Sequence, residues 1–291
     1  LGYADFVEVF RGMGEVTVRV QETGCSVSEG FDNSVVSYGQ YWHLERPDDQ
    51  ANCAFVLVYL LCALMIHAGT PCTKMCALGK QCIDKATEMQ NQFSWNLCDH
   101  QDAHNCGASV ENPGGTLLFD LPAWARRFGP YRAICDDPSV RPAKWRHFRG
   151  EGCPLGSTYP GDDDPGAPMF KPQVWMSNID LSPMELRCKA PYALMPASHT
   201  HRACQGHMSL CGSPGWGVAN YSGIYNPFLA TIFAKWVADA VVYMNRPKPC
   251  DSKVRTNLRM LADKSPAARV PSAASCRSSD FSAAPVSHGT G

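Results

Sequence analysis

The chain has 291 residues, of which 45% are hydrophobic and 18% charged, and its formal net charge at pH 7 is -1. This composition excludes a globally disordered chain, and the near-zero charge excludes strong attraction of the whole chain to nucleic acid. The length suffices for one large α/β domain or two small ones.

The amino-terminal 115 residues alternate between apolar strands and helices. Residues 15–22 fit a short helix, although valines at every second position there favour a strand by propensity. Strands alternating with helices predict an α/β fold with a doubly wound, mostly parallel, Rossmann-like sheet. The pattern indicates strands at residues 5–10, 25–31, 64–68 and 107–111, helices at 15–22, 54–61 and 82–96, and a polar loop at 41–52.

The run from residue 53 to residue 69 is almost wholly apolar. One interpretation is a membrane span, which needs about 20 residues. The run contains His67 and leads straight into a Gly-Thr-Pro-Cys turn, and both features favour a short helix followed by a buried parallel strand. We therefore expect no membrane partner.

The fifteen cysteines raise the question of disulfide bonds. They are spread through predicted strands and helices, as at Cys62 and Cys98, whereas disulfide scaffolds are usually short and loop-rich. The first ten residues show neither the basic start nor the cleavage site of a secretory signal. We expect reduced thiols in an intracellular protein, located in the nucleus if it acts on DNA.

The composition of the sequence changes after Asn112. Residues 113–225 are rich in Gly, Pro, His and Trp, and a clear helix returns where Asn226 can cap it and Pro227 suits its first position. Beyond residue 247 the chain is polar, and from 271 it is rich in Ser and Ala. We predict a core at 1–115, an irregular insertion at 116–217, a helix completing the core at 218–246, and a disordered tail at 247–291.

A glycine loop follows the first predicted strand, at Phe10, Gly12 and Gly14. Glycines let a backbone turn sharply and approach a ligand closely. The loop lacks the third glycine of the dinucleotide fingerprint, and alone it fits an ordinary strand-to-helix turn. Asp32 lies 20 residues beyond Gly12, at the end of the second predicted strand, where an acid can bind ribose hydroxyls. Together they indicate a nucleoside-containing cofactor.

Pro71-Cys72 lies in the turn after the strand at 64–68, with Lys74 nearby. A neighbouring cation favours the nucleophilic thiolate form of cysteine. The alternative is one more buried thiol among fifteen. Cys76 offers a second sulfur ligand, but a lone Cys-x3-Cys pair is a poor zinc signature.

Glu111-Asn112-Pro113 ends another predicted strand. Asn-Pro is a frequent turn signal, so a surface turn is one interpretation. The carboxyl ends of parallel strands share one edge of a sheet, so Glu111 is expected at the same edge as Cys72. A buried carboxyl group there can serve as a proton donor.

Two clusters in the insertion leave their interpretation open. The first has metal-ligand chemistry, but no standard zinc spacing relates its members; a zinc site and a histidine-rich loop both remain, and no metal ligand is assigned. The second is basic with interleaved aromatics, which fits either nucleic-acid binding or a solvated loop. The first comprises Cys188, His199, His201, Cys204 and His207; the second comprises Arg126, Arg127, Arg132, Arg141, Lys144, Arg146 and Arg149, with Trp145 and Phe148.

The order of these motifs resembles the cytosine-5 DNA methyltransferases, which use S-adenosyl-L-methionine. The resemblance covers residues 5–115 and 218–244, and it implies the methyltransferase form of a Rossmann-like sheet, with DNA as partner. The matching elements are Phe10-Arg-Gly-Met-Gly14, Asp32, Pro71-Cys72, Glu111-Asn112 and, more loosely, Asn220-Tyr-Ser-Gly-Ile-Tyr-Asn-Pro227.

The resemblance implies a role for each matching residue. Cys72 would attack carbon 6 of a flipped cytosine, and Glu111 would protonate the ring nitrogen, making carbon 5 nucleophilic toward the methyl group. Asp32 would hold the cofactor ribose, and the other cofactor contacts would be Phe10, Gly12, Gly14, Pro71 and Asn226. Two alternatives stay open: an RNA methyltransferase, and a divergent, inactive member that binds nucleic acid or protein.

Overall fold

The computed structural model describes residues 3–72, 74–75, 83–131, 144–160, 164, 166–188, 199–204, 207–210, 213–217, 225–244 and 257–269. Its main sheet has five strands, which are β1 (Phe6–Val9), β2 (Met65–Ala68), β3 (Gly107–Pro113), β4 (Arg146–Glu151) and, after the short β5 (Met169–Phe170), β6 (Pro172–Ser177). The remaining strands are short: β7 (Arg202–Ala203) pairs with β5, and β8 (His207–Leu210) pairs with β9 (Ser213–Gly217).

The sheet has the strand order β1-β2-β3-β6-β4. The first three strands are parallel, with Val9 opposite Ala68 and Ala68 opposite Val110. β6 runs antiparallel to both of its neighbours, so β4 points in the same direction as β3. Four strands therefore end at one edge, called the carboxyl edge below. The α/β fold with a mainly parallel sheet is confirmed, and it is compatible with a Rossmann-like fold.

Helices cover both faces of the sheet, as a doubly wound fold requires. Successive strand residues point to opposite faces, so Val7 and Ile66 join one buried cluster while Phe6, Met65 and Trp175 join the other. The first face packs on α2 (Pro47–Phe55), α3 (Lys85–Ala103), α4 (Pro122–Phe128) and α6 (Asn257–Ala262), and the second on α1 (Glu15–Glu22) and α5 (Pro227–Tyr243).

Burial decides the conformation of α1 against the β-propensity of its valines. Val16 and Val20 are fully buried and Val18 is exposed, which is the spacing of one helical face rather than of a strand. α5 begins as predicted, because the Asn226 side chain accepts a hydrogen bond of 2.9 Å from the amide of Leu229.

Two predicted elements need correction. Residues 25–31 run beside β1 but make only isolated bridges, at Val27 and Phe31, because Gly30 takes a left-handed φ of +75° that interrupts an extended strand. The helix predicted at 54–61 begins earlier, at Pro47, inside the predicted loop, and continues as a π-helix over Val56–Leu61.

Two of the predicted segments contain regular structure that the sequence did not indicate. The segment 116–217 is not wholly irregular, because β4 and β6 belong to the main sheet. Disorder is wrong for residues 257–269, since α6 buries Leu258 and Ala262 in the core. The other residues of the predicted tail from 247 lie outside the described part of the chain.

The apolar run at 53–69 is divided between the end of α2, the π-helix, a short turn and β2. Across the described residues, no helix combines the length and the apolar character needed to cross a membrane.

Candidate functional site

The glycine loop leaves β1 through three residues with left-handed backbone. The φ angles are +56° at Phe10, +53° at Gly12 and +72° at Gly14. Glycine takes this conformation freely, whereas Phe10 does so at a cost of about 1–2 kcal/mol. The Phe10 amide donates a 2.8 Å hydrogen bond to the carbonyl of Phe31, so the neighbouring segment holds the loop in place.

Asp32 contacts the glycine loop, as the 20-residue spacing predicts. Its Oδ2 accepts a 3.0 Å hydrogen bond from the amide of Gly12, and its Oδ1 accepts one of 2.8 Å from the amide of Ser34. A pocket opens beside this contact, and it contains four of the six predicted cofactor residues. The lining consists of Phe10, Gly12, Asp32, Asn33, Trp42, Leu44, Glu45, Gly69, Pro71 and Gln90.

The other two predicted cofactor residues have different surroundings. Gly14 is buried at the start of α1, where an added Cβ would lie 3.3 Å from the Arg11 guanidinium. Asn226 caps α5, and its Nδ2 donates a 3.2 Å hydrogen bond to Ser157. Neither belongs to the described lining of the pocket. Their contact with a cofactor stays a prediction.

The turn that carries Cys72 is fixed to both neighbouring strands. The Gly69 amide donates to the carbonyl of Val9 at 3.1 Å, and the Asn112 amide group donates to the carbonyl of Thr70 at 2.9 Å. A Cβ at Gly69 would lie only 3.1 Å from a backbone oxygen, so glycine permits this close approach. Cys72 is partly buried at the carboxyl edge, beside the pocket-lining Pro71.

Glu111 lies at the carboxyl edge too, on β3, so the predicted shared edge is confirmed. Its Oε1 accepts a 3.0 Å hydrogen bond from Gln173 Nε2, on the adjacent antiparallel strand. Burial raises the pKa of Glu111, while the Lys171 charge and the Gln173 hydrogen bond oppose that rise. A raised pKa suits a proton donor. The sequence did not single out Gln173 as a site residue, because it lies in the segment that was predicted to be irregular.

Polar side chains also form a buried row on the face covered by α1 and α5. His67 makes hydrogen bonds through Nδ1 to Ser109 Oγ at 2.8 Å and through Nε2 to the Tyr225 hydroxyl at 3.2 Å. Trp175 Nε1 donates to the same hydroxyl at 3.0 Å. Burial lowers the pKa of His67 to about 3 and raises that of its cross-strand neighbour Glu8 to about 7. The row therefore carries less charge than its residue types suggest.

The basic cluster at 126–149 does not form an aromatic and basic surface within the described residues. Trp145 and Phe148 are core side chains, respectively 1% and 0% exposed. Arg127 pairs with Asp99 at 3.2 Å, and Lys144 pairs with Asp102 at 2.7 Å. Arg132 and Arg141 lie outside the described part of the chain.

The structure brings together three of the five predicted metal-like residues and adds a fourth. Cys188, His199 and His201 meet Cys153, and their ligand atoms all lie within 4.8 Å of one another. Cys204 packs instead near Tyr159 and Met169. The side chain of His207 is outside the described residues. Cys153 was missed because it lies 35 residues before Cys188, with no recognisable spacing.

Comparison with known proteins assigns no family. No protein-family model matches the chain, and no curated protein is detectably similar to it.

Proposed function

We propose that the protein is an S-adenosyl-L-methionine-dependent methyltransferase that methylates carbon 5 of cytosine in DNA, and that it works in the nucleus. One observation carries the proposal. Pro71 lines the pocket that also contains Gly12 and Asp32, and the next residue is Cys72, at the sheet edge where Glu111 lies. A thiol next to a pocket-lining residue and a carboxyl group thus lie at the sheet edge where the pocket opens.

The pocket has the chemistry of a nucleoside site. A sharply turned glycine backbone allows close approach, the Asp32 carboxylate can accept hydrogen bonds from ribose hydroxyls, and the Trp42 ring supplies an aromatic wall. When bound there, S-adenosyl-L-methionine would supply an electrophilic methyl group.

The protein's own residues would activate the cytosine. The Cys72 thiolate forms a bond to carbon 6 of a base turned out of its stack, and Glu111 donates a proton to the ring nitrogen. The electron pair thereby reaches carbon 5, which becomes the nucleophile toward the methyl group. After methyl transfer, solvent water accepts the carbon 5 proton, the electron pair of that C–H bond restores the ring double bond and expels the Cys72 thiolate from carbon 6, and the nitrogen proton returns to Glu111. Gln173 would hold the Glu111 carboxyl in position throughout.

Covalent trapping tests this proposal directly. The full chain is incubated with S-adenosyl-L-methionine and duplex DNA containing 5-fluorocytosine, then separated on a denaturing gel. Fluorine cannot leave carbon 5 as a proton does, so the thioether between Cys72 and the base should persist. Cys72→Ser should give no adduct, whereas Cys62→Ser, which alters an exposed thiol at the end of the π-helix, should trap normally.

The contrary outcomes identify the alternatives. An adduct with 5-fluorocytosine RNA and none with DNA would indicate an RNA methyltransferase. No adduct with either, together with no S-adenosyl-L-methionine binding in calorimetry, would indicate a non-catalytic member. An adduct that survives in Cys72→Ser would exclude Cys72 as the nucleophile.

A further inference from the structure

Four ligand atoms from three separate segments converge beyond the end of β4. Cys153 follows β4, Cys188 follows a 3₁₀ turn at Ser182–Met184, and His199 and His201 precede β7. We propose that these four residues form a zinc site. The site is independent of the proposed methyl transfer and includes neither Cys72 nor Glu111.

Five of the six distances among the four atoms lie within about 0.4 Å of the edges of a tetrahedron around zinc. Zn–S bonds of about 2.3 Å and Zn–N bonds of about 2.0–2.1 Å put two sulfurs about 3.8 Å apart, two nitrogens about 3.3 Å apart, and sulfur and nitrogen about 3.5 Å apart. The Sγ atoms of Cys153 and Cys188 are 3.8 Å apart, and the two histidine Nε2 atoms are 3.2 Å apart. The sulfur–nitrogen distances from Cys153 to His199 and from Cys188 to both histidines run from 3.1 to 3.2 Å, and the remaining one, from Cys153 to His201, is within 4.8 Å.

Hydrogen bonding within the cluster does not account for this convergence. The Cys188 sulfur and the His199 Nε2 atom each approach all three other ligand atoms within 3.1 to 3.8 Å. A thiol has one proton and a neutral imidazole has one proton for two nitrogens, so these groups cannot supply a donor for every contact. A shared cation satisfies all four atoms at once.

The ligand set selects the metal and its role. Two thiolates and two imidazoles in tetrahedral arrangement are typical of zinc, and four protein ligands leave no open position for catalysis. The backbone amide of Cys188 donates a 2.8 Å hydrogen bond to Glu151, and the Phe170 ring packs against His201 with centroids 5.9 Å apart. The metal would therefore join the end of β4 to the β5–β7 pair. It would be a structural clamp at the carboxyl edge.

Metal analysis of the full chain tests the site without substrate or cofactor. The protein is produced in zinc-containing medium and freed of unbound metal by gel filtration. Its zinc content is then measured by inductively coupled plasma mass spectrometry. We expect one zinc per chain, at least a tenfold loss in Cys153→Ser and His199→Ala, and full retention in Cys204→Ser. Cys204 is a matched control because it lies in the same region but outside the four-ligand set.

Cobalt supplies a second measurement. Cobalt exchanged into the intact chain should give the visible spectrum of a tetrahedral site with a thiolate charge-transfer band, which should weaken in Cys188→Ser. If the cysteine variants fail to fold, His201→Asn at the exposed ligand should fold and show weaker zinc retention against a chelator. Wild-type protein without zinc, zinc unchanged in the ligand variants, or a Cys153–Cys188 disulfide in the mass of the non-reduced chain would overturn the proposal.

Discussion

The Cys72–Glu111 site and the Cys153–Cys188–His199–His201 site lie at the same edge of the sheet but are built differently. In the first site, Glu111 lies on a parallel strand and Cys72 lies in the turn after another. The residues of the second site come from turns and loop segments outside the strands, which belong to no repeating pattern. The first arrangement places Cys72 next to the pocket-lining Pro71, and the second brings side chains from separate segments together. We therefore expect substitutions to separate chemistry from stability.

The largest expected effect is on the chemistry of the first site. Cys72→Ser should lower the rate of methyl transfer by about 10⁴-fold or more, because serine is a far weaker nucleophile. Its free energy of unfolding should stay within about 0.5 kcal/mol of wild type, since Cys72 is only partly buried. Incorporation of labelled methyl groups and denaturant unfolding would measure the two effects. A large loss of stability with activity retained would reverse the comparison.

Removal of metal from the second site should lower stability and leave cofactor binding at the first site nearly unchanged. A site with zinc present at about a thousand times its Kd gains about 4 kcal/mol. Chelation should therefore lower the melting temperature and expose the amides of β5 and β7 to hydrogen exchange. S-adenosyl-L-methionine affinity should change less than twofold, because no pocket-lining residue belongs to the four-ligand set. An unchanged melting curve after chelation would count against a structural metal.

Glu8, in the buried polar row under α1 and α5, gives the stability of the fold a dependence on pH. Burial raises its pKa from 4.5 to about 7, so between these values the folded chain holds a proton that the unfolded chain releases. The free energy of unfolding should fall as pH rises through this window. Glu8→Gln should remove up to about 3 kcal/mol of that decline. Urea unfolding at several pH values would show it, with the exposed Glu22→Gln as control.

The smallest expected effects distinguish a ligand contact from a helix cap. Asp32→Asn should weaken S-adenosyl-L-methionine binding about tenfold to a hundredfold, because a hydrogen bond to a charged group contributes about 1.5–3 kcal/mol. Asn226→Ala should reduce stability by about 1 kcal/mol through loss of the α5 cap. Calorimetry of both variants would decide whether Asn226 also binds the cofactor, in which case its variant would lose affinity as well.

The sequence predicted the parallel part of the sheet because its signals are local. A buried apolar run followed by Gly, Pro or Asn marks a strand end, and parallel strand ends meet at one edge. Asp32 also contacts Gly12, although the segment before Asp32 is joined to β1 only by isolated parallel bridges. The rule also accounts for the position of Pro71 in the pocket lining, because the pocket opens at the ends of these strands.

The two sheet strands within residues 116–217 were not predicted, for physical reasons. β4 is an edge strand in the described sheet, and edge strands tolerate charges such as Arg146 and Arg149 that hide the apolar pattern. Alternation along the strand nevertheless turns Phe148 into the core, where the sequence suggested an exposed aromatic. β6 begins with Pro172, which a strand accepts at its first position. The position of Cys153 beside the other three ligands depends on the path of irregular segments, and residue patterns do not predict that path.

The position of β6 in the sheet has a consequence for synthesis. β4 leaves the ribosome before β6, yet its partner in the main sheet is β6, which lies between β4 and β3. A chain that ends before Pro172 would therefore leave β4 without this partner and β3 with an open edge, and such edges template aggregation. When β6 joins the sheet, it provides the missing hydrogen-bonding partner for β3 and for β4 at once. Nascent chains that contain β4 but not yet β6 should therefore need chaperones most.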